Sequence, residues 1–203
     1  MKTFWRVFLG LLVIGIIVSL VTLFHGNRPV GSENLVGHAL PDFAAPLASG
    51  TQNADSNIYT PAQAKAVHST AACDVDLPGV FNSCRDLKGH AVLVFWNSTK
   101  SECVGQVDTL DAFSKANPDV SVAALAFDQS EGKVRSVASE RGWKLPVPID
   151  RDGAVAGLYA VAGCPTVYFS DRGTITGVKL GVLTQQQLEQ GLEKRAGATG
   201  VTD

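Results

Sequence analysis

Apolar residues follow three different rhythms along this chain. From Val7 to Phe24 they run unbroken for eighteen residues, with nothing more polar than Ser19 and Thr22. As a helix rising about 1.5 Å per residue, that run covers roughly 27 Å, enough to cross a hydrocarbon core. His90–Trp96 and Val120–Phe127 are short apolar runs rich in Val, Phe and Trp, the pattern of strands buried on both faces. Between them Val104, Val107, Leu110 and Phe113 recur at helical spacing, predicting a helix from Cys103 to about Ala116 that Asn117-Pro118 stops.

Turn and cap residues punctuate the rest. His25 to Leu35 carries Gly26, Pro29, Gly31 and Asn34 and reads as a tether. The apolar segment after Phe43, ending at Ser49-Gly50, reads as a short hairpin, and residues 51–84, rich in Ala, Asn, Ser and Thr, read as an insertion. Thr60-Pro61-Ala62-Gln63 and Thr184-Gln185-Gln186-Gln187 are capping boxes that open helices, the second running to about Arg195. Ser130 caps a helix to about Arg141 that Gly142 ends, and Ala154–Tyr159 is a short helix. Thr166–Phe169 and Thr174–Leu180 flank Asp171-Arg172-Gly173, a hairpin signature. Strands alternating with helices imply a parallel sheet with right-handed crossovers, to which the hairpin adds an antiparallel edge. Gly197 to Asp203 reads as a frayed, disordered tail.

Charge sets the orientation of the first run. Lys2, Arg6 and the α-amino group precede it and Arg28 alone follows closely, which places the N-terminus in the cytoplasm and the rest outside. No Ala-X-Ala-like site and no nearby cysteine follows the run, so an uncleaved single-pass anchor is favoured over a signal peptide or a lipoprotein. The predicted organisation is a cytoplasmic N-terminus and transmembrane anchor over 1–25, a linker over 26–35 and a folded domain over 36–196. An extracytoplasmic domain permits stable disulfides. The net charge of −2 offers no field for nucleic acid.

The four cysteines carry the candidate chemistry. Cys103 opens the first long helix, where free N–H groups and the macrodipole favour a thiolate; Lys100 adds to that effect and Glu102 opposes it. The strand before it offers Val92-Leu93-Val94 and no carboxylate, and the loop holds no histidine, so proton transfer falls to water or Lys100. Cys73 and Cys84 bracket a short span with Pro78-Gly79 at its middle, which favours their pairing as a structural loop closure among three possible connectivities. Such a bridge contributes about 2–3 kcal/mol in the chain-entropy account. The competing reading makes Cys73 a resolving thiol for Cys103. No Cys-X₂-Cys or His-X₃-His spacing supports a metal, and no Gly-rich phosphate loop is present, so neither metal nor cofactor is expected.

The element order, with Asp86-Leu87-Lys88-Gly89, Phe95-Trp96, Asp150-Arg151-Asp152-Gly153 and Cys164-Pro165-Thr166, resembles the thioredoxin superfamily. Within it the chain is most similar to the membrane-anchored thiol–disulfide proteins of the TlpA/ResA type, which shade into the peroxiredoxins. The resemblance covers roughly residues 36–196 outside the 51–84 segment. It implies an α/β thioredoxin-like fold, with a central mixed sheet flanked by helices and a cis-proline at Pro165 that brings Cys164 close to Cys103. The Cys-X-X-Cys of that branch reads Lys100-Ser101-Glu102-Cys103 here, so its first, exposed cysteine is missing. Cys103 and Cys164 are then the candidate catalytic pair, with Pro165, Lys100 and Trp96 as candidate substrate-binding residues. The pair can instead be a permanent staple, or two small apolar core residues.

Three functions follow from these readings. The first is an anchored oxidoreductase acting on protein thiols or disulfides and reset by an upstream membrane or extracytoplasmic reductant. The second is a peroxidase in which Cys103 attacks a peroxide. The third is a binding module without catalysis that uses the cis-proline groove.

Overall fold

The computed structural model describes residues 32–193. The expected transmembrane run Val7–Phe24, the tether before Ser32, and everything from residue 194 onward lie outside the described residues. Among the described residues no helix is long and apolar enough to cross a membrane.

Strand β3 (His90–Trp96) is the axis of a five-stranded sheet. Its Ala91, Leu93 and Phe95 enter one core and its Val92, Val94 and Trp96 the other, as the two-residue period of a strand requires. Helix α3 (Ser101–Ala116) returns the chain to β4 (Ser121–Phe127), which pairs parallel with β3 from Ala91↔Ser121 to Trp96↔Ala126. Helix α4 (Glu131–Arg141) then leads to β5 (Ile149–Asp150), parallel to β4. Helix α5 (Ala154–Leu158) precedes β6 (Thr166–Asp171) and β7 (Thr174–Leu180), and α6 (Gln185–Glu193) closes the described chain. Strand β6 runs antiparallel to β3, giving the order β5-β4-β3-β6-β7. The α/β class and the mixed sheet flanked by helices therefore match the expectation.

Local signals acted as read. Thr60 and Gln63 form the reciprocal cap of α1 (Pro61–Ala66), and Asn82 caps the short α2 (Ser83–Asp86). Thr184 and Gln187 exchange the same two bonds at the start of α6. Gly142 ends α4 in the left-handed region. Arg172 and Gly173 both have positive φ, as the tight β6–β7 turn demands.

Three expectations are corrected. The segment after Phe43 is no local hairpin: β1 (Ala44–Pro46) pairs antiparallel with β2 (Val80–Asn82), on the far side of residues 51–79. Phe81 is buried against Phe43, their rings 5.7 Å apart, so the last part of the 51–84 stretch belongs to the core. Long-range pairing of that kind leaves no local sequence signal. The first long helix starts at Ser101, two residues before Cys103, because Lys100 adopts the extended cap conformation without a side-chain cap. The two-residue β5 is too short to show as a periodic run.

One carboxylate fastens α3 to the chain after α4. Asp111 Oδ1 accepts the backbone N–H groups of Lys144 at 2.6 Å and Leu145 at 3.0 Å, and Lys115 Nζ donates to Oδ2 at 2.6 Å. Burial pushes this carboxyl up, but the bonds from Lys115, Lys144 and Leu145 outweigh it and hold the group below its ordinary value. A depressed acid stabilises the fold above its unfolded-state value and loses that contribution as pH falls through the folded one. Asp111→Ala should cost about 1–3 kcal/mol at neutral pH. In denaturant titrations its deficit relative to wild type should shrink as the pH falls below the usual carboxylate range.

Candidate active site

Two chain segments meet at one end of the sheet. Strand β3 ends at Phe95-Trp96, a polar turn follows, and α3 begins; Cys103 is the third residue of that helix and is 0% exposed. Strand β6 begins at Thr166, which pairs with Phe95. The residues just before it, Cys164 and Pro165, joined by a cis peptide bond, therefore lie beside the β3–α3 turn. A disulfide joins Cys103 to Cys164, with their Cα atoms 5.6 Å apart. Pro165 is buried while Cys164 is half-buried.

Hydrogen bonds brace both cysteine-bearing segments. The Gly181 N–H donates to Pro165 O at 2.8 Å, and Thr166 Oγ1 donates to Gly163 O at 2.6 Å. Gln106, fully buried one turn along α3 from Cys103, accepts the Leu183 N–H at 2.6 Å and donates to Leu183 O at 3.3 Å. The Ser98 N–H donates to Gln129 Oε1 at 2.8 Å. Asn97 Oδ1 accepts the Thr99 N–H at 3.1 Å and the Thr99 hydroxyl at 2.5 Å. The same oxygen lies 3.6 Å from Cys164 Sγ.

No family model matches the chain. The thioredoxin-like protein YneN of Bacillus subtilis is 32% identical over 123 residues, which make up 58% of this chain and 72% of YneN. The chain belongs to the thioredoxin-like proteins of the TlpA/ResA type. The thiol-disulfide oxidoreductase ResA of Bacillus thuringiensis is 29% identical over 123 residues, covering 59% of this chain and 71% of ResA. Among solved structures, a putative thiol:disulfide interchange protein DsbE from Chlorobium tepidum superposes with a TM-score of 0.60 at 20% identity. It covers 80% of this chain and 98% of that one. A secreted Mycobacterium tuberculosis disulfide oxidoreductase homologous to DsbE gives 0.52 at 21% identity, over 57% and 89% of the two chains. At these identities the structural likenesses speak for the fold.

Within this TlpA/ResA-type frame the candidate residues separate. Lys100 is exposed at the mouth of α3. Trp96 is withdrawn as a substrate-binding residue: it is 0% exposed, its Nε1–H donates to Ala124 O at 3.2 Å, and its ring meets Trp143 edge-on at 5.0 Å. A side chain sealed inside the core cannot meet a ligand. Cys73 is bonded to Cys84, with Cα atoms 5.5 Å apart, and so is not the partner of Cys103. Asn82 secures that bridge from both sides, donating to the carbonyls of Ala72, Cys73 and Val75 and accepting the N–H groups of Cys84 and Arg85. The Asp42 carboxylate lies near these sulfurs, all three ligand atoms within 4.8 Å of one another, but sulfurs bonded to each other offer no thiolate to a metal.

Asn97 and Gln106 are not among the residues that the sequence marks as candidates. An Asn-Ser-Thr turn after an apolar strand does signal a side chain bent onto its own backbone. Nothing in the sequence signals that its oxygen meets a sulfur from a segment 67 residues away. Gln106→Ala leaves a buried N–H and carbonyl at Leu183 without partners and should cost about 1–3 kcal/mol in chemical denaturation. It should also make the Cys103–Cys164 bridge easier to reduce, since the loop packed on Pro165 loses its tie to α3.

Proposed function

We propose that this chain is a thiol–disulfide oxidoreductase of the ResA type that exchanges electrons with protein thiols or disulfides through Cys103 and Cys164. The observation that carries the reading is the unequal exposure of two cysteines already bonded at the end of the sheet: Cys103 is 0% exposed and Cys164 is half-buried. The sequence favours a thiolate at Cys103 and sets no order of attack between the two. An incoming thiolate meets Cys164 first, so Cys164 stands in for the missing exposed cysteine, and Cys103 is the sulfur that leaves.

The exchange balances in two steps. A substrate thiolate attacks Cys164 Sγ, the Sγ–Sγ bond breaks, and its electron pair goes to Cys103 as a thiolate. Cys103 sits in the first turn of α3, where backbone N–H groups and the helix dipole stabilise negative charge. A second substrate thiol, after losing its proton, attacks the sulfur of the mixed disulfide bonded to Cys164 and releases Cys164. The substrate is oxidised by two electrons and the protein is left as a dithiol. The reverse sequence reduces a substrate disulfide.

A polypeptide suits the surroundings. Leu180 and Val182 are 69% and 56% exposed and flank Gly181, whose N–H bonds Pro165 O. In this reading the two exposed apolar side chains border the proline loop and offer contacts to a peptide. Burial of Cys103 weighs against direct attack by that sulfur on a peroxide. Residues 1–25 serve as the cytoplasmic N-terminus and membrane anchor in this reading and 26–35 as the tether. They place the thioredoxin-like domain, roughly 36–196, on the extracytoplasmic side.

Trapping experiments test the assignment. Cys103→Ala cannot resolve a mixed disulfide and should accumulate substrate adducts on Cys164, whereas Cys164→Ala should accumulate none. Adducts on Cys103 in the Cys164→Ala protein, or peroxide turnover that survives Cys164→Ala, would overturn it. Carbonate extraction of membranes should retain the full chain and release one that starts at residue 26.

A further inference from the structure

Asn97 touches the reactive sulfur without belonging to either cysteine segment's motif. Its side-chain oxygen is 3.6 Å from Cys164 Sγ. Which atom faces the sulfur is settled by chemistry: a backbone N–H can only donate, and that of Thr99 bonds the same atom at 3.1 Å. The Thr99 hydroxyl bonds it too, at 2.5 Å. The amide is therefore held with an acceptor toward Cys164.

In the disulfide Cys164 Sγ carries no hydrogen, and the oxygen gains nothing from its neighbour. When the bridge opens, Cys164 acquires an S–H and finds an acceptor already in place. Resting on the exchange reading above, we infer that Asn97 sets the redox balance of the pair: its oxygen accepts the Cys164 S–H in the reduced protein, favouring the dithiol over the disulfide and restraining Cys164 as a nucleophile. In the overall step a dithiol becomes a disulfide, this protein's disulfide becomes two thiols, and two electrons and two protons pass across. The hydrogen bond exists on the reduced side alone, so it draws the equilibrium that way and makes the protein the stronger oxidant. Thr99 acts on the sulfur through Asn97, by fixing the amide.

Equilibration with graded dithiothreitol, read by mass after alkylation, measures the balance directly. Asn97→Ala should move the equilibrium roughly two- to fivefold toward the disulfide, the worth of a weak net hydrogen bond. Asn97→Asp keeps an acceptor oxygen and should stay at the wild-type position or beyond it toward the dithiol. A second readout uses Cys103→Ser protein, in which Cys164 is free and Cys73–Cys84 stays closed. There Asn97→Ala should speed iodoacetamide alkylation of Cys164 at neutral pH by a similar factor, and Asn97→Asp should not. Thr99→Val, which leaves the backbone bond intact, should give a smaller shift in the same direction and serves if Asn97→Ala does not accumulate. Unchanged values in both assays, or a shift toward the dithiol in Asn97→Ala, would overturn the inference. Neither assay uses a protein substrate, so failure to trap substrates would strike the exchange reading while these shifts stand. Normal trapping with a silent Asn97→Ala would strike this inference alone.

Discussion

The antiparallel pairing of β6 with β3 is the constraint on which the site depends. Phe95 and Thr166 face each other at the last rung of that ladder. Whatever leaves β3 and whatever enters β6 must therefore emerge side by side. The first becomes the helix carrying Cys103 and the second the loop carrying Cys164, so two sulfurs separated by 61 residues reach bonding distance. Both strands are almost wholly buried and lie inside the sheet. The hydrophobic effect that assembles the sheet thus also fixes the geometry of the bridge. The disulfide adds a covalent tie to an approach the backbone pairing has already set.

Burial then sets two chemically identical groups in different surroundings. Cys103 points into the core formed with Val94, Trp96 and Val107, while Cys164 sits at that core's edge. Lys100 stands where the resembling Cys-X-X-Cys has its first cysteine, and the cysteine bonded to Cys103 comes from the cis-proline loop instead. The bonded cysteine pair is thereby built from non-contiguous chain. Each half is braced separately, α3 through Gln106 and the proline loop through Gly181 and Thr166.

Much of the architecture was legible because its signals are local. The capping boxes at Thr60 and Thr184 and the glycine stop at Gly142 each satisfy backbone groups within a few residues of themselves, and the Asp171-Arg172-Gly173 turn takes positive φ at Arg172 and Gly173. The pairing of Ala44 with Asn82 was not legible, because nothing near either residue records the other. At the site, the proximity of Cys103 and Cys164 followed from family resemblance, since spacing says nothing about it. Trp96 was misplaced because an aromatic residue at a strand end reads equally as core or as rim, and tertiary burial decides. The full burial of Cys103 and the partial burial of Cys164 are likewise set by packing that no single segment encodes.

Disulfide mapping during stepwise reduction bears most directly on this account. Native protein, and protein exposed to increasing dithiol, would be alkylated, digested and read by mass spectrometry. The account predicts Cys103 linked to Cys164 and Cys73 to Cys84 at the outset. It also predicts that the first bridge opens while the second persists, with Cys164 taking label before Cys103. A native link between Cys103 and Cys73, or first labelling of Cys103, would contradict it.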